Sequence, residues 1–338
     1  MRAFVITAPG TAGVQDVDAP AATPGEVVVD VERVGICGTD AEFHSGRMAY
    51  LHSCLAHFPM RLGHEWMGTV SALGAGVDPV WLGRRVMGDT MLGCGRCRRC
   101  TRGNQHVCAD RQEVGIRGGR HGALAEQLSV PASSLHHLPD QLDPALGALV
   151  EPGGNARRAV HGANLSPGDR VLIMGPGTIG LLCALFARAA GAEVHMLGLP
   201  GPGLEVARTL GFDNVWEEAT LPDLPLDAII DAATSPALPT WALSRVEPGG
   251  RAVFIGIAGE ESLVDTRDLV LGDITAVGVL SASPALAETI AAFAAGTVDP
   301  RPLIAATTGL DGVADVLAGS RPPSAGPGPK IHIDPRMR

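Results

Sequence analysis

Residues 27–36, VVVDVERVGI, alternate apolar and polar positions, and comparable short runs bounded by Gly, Pro and Asp continue to about Pro139. A period of two marks strands with one face buried, so the pattern predicts a β-rich segment over residues 1–150. From Gly168 the rhythm changes. RVLIMG reads as a buried strand, TIGLLCALFARAAG as a helix, EVHMLG as a strand, GLEVARTLG as a helix, and LDAIIDAA and GRAVFIGIA as further strands. Strands alternating with helices predict βαβ units and a parallel sheet. An apolar run at 274–280 adds a strand, ALAETIAAFAAG after Ser283-Pro284 a helix, and KIHID a last strand. There is no repeat at solenoid periods, and the only biased patch is RPPSAGPGP at 321–329.

A chain of 338 residues has room for about two domains. With 46% hydrophobic and 18% charged residues, 44 Gly and 26 Pro, it is compact and turn-rich rather than disordered. A formal net charge of -10 is wrong for collecting nucleic acid or anionic lipid, which needs clustered Lys and Arg, so the expected partner is a small molecule. The start, MRAFVI, lacks the basic, apolar and small-residue regions of a secretory signal, so a cytoplasmic location is expected. The apolar run 171–187 is interrupted by Gly175-Pro176-Gly177 and bounded by Arg, so no membrane span is expected. Lys330 is the only lysine, read at this level as a habit of composition without functional content.

Gly175, Gly177 and Gly180 form G-x-G-x-x-G directly after a predicted strand, with Thr178 and Ile179 opening the predicted helix. That context makes it a dinucleotide-binding turn: a tight bend, close approach of backbone to pyrophosphate, and close helix packing. An acid about 20 residues on would bind the ribose 2′-hydroxyl of NAD. Gly198 stands there, so nothing repels the 2′-phosphate of NADP, and the cofactor reading is NAD(P) with a weak lean to NADP. However, the residues that follow, LPGPG, bring no cation, and the next one is Arg208.

Seven cysteines in a chain without a signal point to metal or redox chemistry rather than disulfides. Cys94, Cys97, Cys100 and Cys108 can close a tetrahedral thiolate shell within one loop, at about 93–109. Arg96, Arg98, Arg99 and Arg102 lie among them and are expected to favour thiolates. A ferredoxin-type cluster run has a three-residue last gap followed by Pro, unlike this one, so the reading is a structural zinc with no open position.

GICGTD at 35–40, GHE at 63–65, the cysteine lobe, Glu151-Pro152 and the glycine turn occur in the order found in the zinc-dependent medium-chain alcohol dehydrogenases, which the chain resembles over nearly its whole length. Taken singly, Cys37, His64 and Glu151 read as a buried thiol, a core histidine and an exposed carboxylate. The resemblance implies a second, catalytic zinc held by Cys37, His64 and either Glu151 or Glu65, with an open position for water or a substrate oxygen, and so two zinc ions per chain. A carboxylate as third ligand resembles the polyol and threonine dehydrogenase branch. The implied fold is α/β: a GroES-like β-rich catalytic domain (1–150, and again 296–338) around a Rossmann-type doubly wound parallel sheet (151–295). The implied activity is hydride transfer between NAD(P) and an alcohol or ketone. Thr39 matches the hydroxyl that passes on the alcohol proton; Glu42 occupies the usual place of a relay histidine, and His44 is the alternative. Glu42, His44, His52 and His57 fall in the segment that shapes the substrate pocket of such enzymes, which, with the carboxylate ligand, suggests a small polar secondary alcohol of polyol, cyclitol or amino sugar type. A homodimer or homotetramer is expected, through the edge strand at 274–280. Competing readings are a zinc-free enone or quinone reductase of the same superfold and a non-enzymatic dinucleotide-binding protein.

Overall fold

The computed structural model describes residues 1–338. Two sheets organise it. One has six parallel strands in the order Val215–Trp216, Glu193–Leu197, Arg170–Met174, Ala228–Asp231, Arg251–Phe254 and Thr275–Gly278. Five of these are the strands expected from the sequence pattern, the two-residue edge strand Val215–Trp216 being the addition, and the order turns back beside Arg170–Met174, where a doubly wound sheet opens its ligand crevice. The other sheet has seven strands, six along one path and Gln127–Pro131 branching from it, built on Glu26–Gly35, which pairs antiparallel with Glu65–Leu73, Gln127–Pro131 and Lys330–Ile333. Residues from the far end of the sequence thus complete the sheet that begins near its start.

Burial explains the run lengths. The strand Arg170–Met174 is buried at four of its five positions because helices cover both faces, hence its unbroken apolar run. The helix Thr178–Ala189 is buried from Gly180 to Ala187. One apolar cluster of 37 residues spans the parallel sheet, its helices and Met67 and Met87 of the other sheet; a second of 24 fills the β-rich half. No helix of the chain is long and apolar enough to cross a membrane.

The helix Val150–Ala163 goes unpredicted, since VEPGGNARRAVHGA carries a proline and two adjacent glycines. Pro152 lies in its first turn, where a missing N–H costs nothing. A Cβ on Gly153 would lie 2.7 Å from the Phe293 ring, so close packing against the helix Leu286–Ala294 requires the small residue. This helix carries Glu151, which is buried and not an exposed carboxylate.

A buried polar knot ties the parts together. Asp89 accepts hydrogen bonds from the Ser283 hydroxyl (2.7 Å), the Met91 amide (2.9 Å) and the Gln105 amide side chain of the cysteine loop (3.0 Å). One carboxylate therefore joins the β-rich half, the cysteine loop and the segment that follows the last parallel strand. Nothing in the sequence around Asp89 signals it.

Candidate active site

Cys37 caps the helix Gly38–Ser45, and its amide donates to Asp40 Oδ2 at 3.0 Å. Cys37 Sγ lies 3.3 Å from His64 Nε2. Zinc bonds of about 2.3 Å to sulfur and 2.0–2.1 Å to nitrogen put the two atoms about 3.6 Å apart in a tetrahedron, so this pair fits a shared metal to within a few tenths of an ångström. Cys37, His64 and Glu65 offer ligand atoms all within 4.8 Å of one another. Asp40 Oδ1 stands 3.8 Å from His64 Nδ1, behind the ring, and the Thr90 hydroxyl donates to the His64 carbonyl at 3.3 Å.

The charges are poorly compensated by the chain alone. Burial pushes the Cys37 thiol and the Asp40 carboxyl up. Burial also pushes Glu151 up, to about 7, against the pull of His64; its only side-chain donor is Asn155, at 2.9 Å. His64 is raised well above its usual value: burial opposes its charge, but Cys37, Asp40 and Glu151 outweigh it. Three buried acids around one thiol–imidazole pair are a donor set that a divalent cation satisfies.

Lys330 corrects the compositional reading of the lone lysine. It is 2% exposed, and its ammonium donates to both Glu65 oxygens (2.8 and 2.7 Å) and to the Ile36 carbonyl (2.9 Å). The Glu65 carboxylate lies across Gly35, where any Cβ would collide with it. The first residue of GICGTD is thus glycine because a carboxylate passes over it.

Around this centre, Thr39 and His44 are half-buried and make no side-chain hydrogen bond. Glu42, His52 and His57 are exposed, while Phe43 is part of the core. Three of the four polar residues expected to line the pocket therefore point to solvent.

The cysteine loop closes as expected. Sulfur–sulfur distances of 3.5 Å (Cys97 to Cys100), 3.8 Å (Cys97 to Cys108) and 4.0 Å (Cys94 to Cys100) match the roughly 3.8 Å edge of a tetrahedral zinc–thiolate shell. The expected source of thiolate stabilisation is different, however. The amides of Arg96 and Cys97 pull Cys94 down to about 6, and the Cys100 amide lowers Cys97, while the arginine side chains are exposed. The turn geometry supplies what the sequence pattern credits to guanidinium charge.

In the glycine turn, Gly175 has φ +95°, and a Cβ on Gly180 would collide with the Gly175 carbonyl. Gly177 caps the helix Thr178–Ala189, and a Cβ there meets nothing within 4 Å, which leaves room for a pyrophosphate beside the helix amides. Gly198 is different. A Cβ there would lie 2.6 Å from the Pro176 ring, so packing against the turn excludes a carboxylate whatever the cofactor.

A parallel doubly wound sheet with a glycine turn, joined to a β-rich half bearing a Cys–His–carboxylate centre, defines a metal-dependent dehydrogenase. Residues 23–140 match the alcohol dehydrogenase GroES-like domain and residues 178–295 the zinc-binding dehydrogenase domain. An L-threonine 3-dehydrogenase of Streptomyces avermitilis is 35% identical over 337 residues, covering 94% of each chain. Among solved structures, a zinc-binding dehydrogenase from Sinorhizobium meliloti bound to NADP superposes with a TM-score of 0.89 at 26% identity over 99% of each chain. The alcohol dehydrogenase of Thermus sp. ATN1 does so at 0.87 and 26% over 100% of each. The chain belongs to the zinc-dependent medium-chain alcohol dehydrogenases, in their polyol and threonine dehydrogenase branch. It is an NAD(P)-dependent oxidoreductase acting on an alcohol or ketone.

Proposed function

We propose that this enzyme oxidises a small polar secondary alcohol carrying an amino or hydroxyl group beside the reacting carbon, with amino alcohols, polyols, cyclitols and amino sugars as the class. The observation that carries it is the buried carboxylate, Glu151, that stands with Cys37 and His64 at the centre, the donor set that resembles the polyol and threonine dehydrogenase branch. The similarity to proteins named L-threonine 3-dehydrogenase supports the same class, since threonine is a secondary alcohol beside an ammonium group.

Bound zinc supplies Lewis acidity toward the alcohol oxygen, and the nicotinamide accepts hydride. Cys37 and His64 hold two positions of the catalytic metal. We assign the third to Glu151: Lys330 occupies both oxygens of Glu65, whereas Glu151 keeps one oxygen free of donors. Proximity of ligand atoms favours Glu65, but the hydrogen bonds favour Glu151, and a carboxylate already neutralised gains less from a cation. Thr39 passes the alcohol proton outward, with His44 as the outer group. The second zinc belongs to Cys94, Cys97, Cys100 and Cys108, making two per chain. Residues 1–150 and 296–338 form the catalytic domain and 151–295 the nucleotide domain. Both NAD and NADP are used, with a slight lean to NADP because no acid follows the strand Glu193–Leu197 directly; the lean is only slight because Arg208, the next cation, is already held by Glu205 at 2.6 Å.

Assay of the zinc-loaded enzyme with both nucleotides against L-threonine, polyols, cyclitols, amino sugars and alkanols tests this reading. We expect kcat/KM at least about tenfold higher on a polar secondary alcohol than on any alkanol. Preference for a long-chain alkanol overturns it.

The assembly is a homodimer or a dimer of dimers. The strand Thr275–Gly278 pairs on one side only, with Arg251–Phe254, and its other edge is unpaired. Leu263, Val270 and Leu271 stand 78–88% exposed in the adjoining segment. An open edge beside exposed apolar side chains fits a second copy pairing across a two-fold axis. Ala276→Pro, which removes a ladder N–H, should shift the mass by light scattering from dimer to monomer. A wild type that is monomeric at about 10 μM contradicts the assignment.

A further inference from the structure

We infer that Asn155 is a positioning residue for the metal centre, holding the Glu151 carboxylate at a fixed angle through a neutral hydrogen bond that leaves its negative charge to the cation. This rests on the assignment of Glu151 as the third ligand. Glu151 and Asn155 stand four residues apart on the helix Val150–Ala163, a spacing that sets side chains beside each other on one face. The Asn155 Nδ2 donates to Glu151 Oε1 at 2.9 Å and to the Glu151 carbonyl at 3.2 Å. No other group of the chain donates to this carboxylate, so its second oxygen stays free for a metal.

The fold fixes the pair without help from a ligand. Between the two residues lie Gly153 and Gly154. A Cβ on the first would come within 2.7 Å of the Phe293 ring, and one on the second within 2.8 Å of the Ala282 Cβ, so this turn of helix is pressed against the segment that follows the last parallel strand. The turn that carries Glu151 and Asn155 therefore has no room to roll or slide. Asn155 itself is half-buried, so its side chain fills no core cavity, and its amide finds its partner in Glu151 alone.

Two glutamates of the centre thus meet different donors. Lys330 puts an ammonium on both oxygens of Glu65, at 2.8 and 2.7 Å, and cancels its charge. Asn155 puts an uncharged amide on one oxygen of Glu151. Such a bond restrains rotation at the end of the side chain while the carboxylate keeps its charge for a divalent ion. A glutamate free to rotate must be ordered by the metal, which lowers affinity. Groups that hold a metal ligand in this way typically contribute about tenfold to a hundredfold in metal affinity.

Withdrawing zinc from the full-length, zinc-loaded enzyme with a chelator of known affinity reads the strength of the centre, the cysteine loop serving as internal reference. Asn155→Leu, which keeps the shape and removes the donor, should weaken zinc at the centre by about tenfold to a hundredfold and leave the cysteine loop unchanged. With cobalt in place of zinc, the visible absorption of the centre should shift in the same variant, because the carboxylate loses its fixed angle. Glu151→Gln should weaken the centre at least as much. Adding Asn155→Leu to Glu151→Gln should cost less than about a further twofold, since the amide acts through the carboxylate. Asn155→Ala repeats the test if the leucine variant misfolds. Wild-type zinc affinity in Asn155→Leu, with a loss in Glu151→Gln, overturns the positioning role and leaves the ligand assignment standing. Wild-type affinity in Glu151→Gln overturns both. A loss from Asn155→Leu that persists undiminished in the Glu151→Gln background places the action of Asn155 elsewhere and also overturns the role.

Discussion

Cys37→Ser should leave a folded protein that turns over no alcohol and, on the two-zinc assignment proposed above, holds one zinc fewer than the wild type. The side chain supplies one sulfur to the centre, 3.3 Å from His64 Nε2, and its backbone role as helix cap is kept by serine, so the fold has no reason to fail. The loss should be at least about a thousandfold in kcat, because the centre's Lewis acidity has no substitute among the neighbouring side chains. Cys97→Ser offers the contrast. Its sulfur lies 3.5 and 3.8 Å from Cys100 and Cys108, in the loop proposed as the second zinc site, so the variant should lose that zinc and several kcal/mol of stability. Metal analysis, thermal melting and turnover of both variants separate the two sites. A fully active wild type with one zinc per chain sinks the catalytic assignment.

Breaking the Lys330–Glu65 pair should be strongly destabilising, on the scale of truncating a core aromatic. Lys330→Met leaves a buried carboxylate without its cation, which costs about 3–5 kcal/mol. The double variant Lys330→Met/Glu65→Gln should recover most of that, since neither charge then remains to be compensated. Burial works against the Lys330 charge, but Glu65 outweighs it and the ammonium's pKa is raised. A raised lysine contributes its stability fully below the ordinary value of about 10.4 and loses it only as pH climbs through the raised one. The gap between wild type and Lys330→Met should therefore be flat across neutral pH and close only in strong alkali. Denaturant melts at several pH values check this; a double variant as unstable as the sum of the singles contradicts it.

The sequence makes the parallel half legible because its strands are buried on both faces and its helices carry one apolar stripe, so each element announces itself within a few residues. The cysteine loop is legible for a related reason: all four ligands sit within one short segment. The helix Val150–Ala163 is hidden because its glycines answer to packing against the Phe293 ring, a contact made far along the chain. Lys330 and Asp89 are hidden for the same reason: each works through partners more than 190 residues away, Lys330 with Ile36 and Glu65, Asp89 with Ser283. Gly198 has a second reason to be glycine that the sequence does not show. Its lack of a side chain leaves no acid beside the ribose, and the close approach of the Pro176 ring requires the same small residue.

The strand Lys330–Ile333 also sets an order of events during synthesis. A chain made from its first residue onward exposes Cys37, His64 and Glu65 long before Lys330 has been joined to it, 265 residues after Glu65. Throughout that interval the strand Glu26–Gly35 lacks its neighbour at Val34 and Gly35, and Glu65 lacks its counter-ion. The nascent β-rich half is thus held short of its final form until the nucleotide half has emerged and folded, and a ribosome stalled inside the parallel sheet leaves an open edge for chaperones to guard.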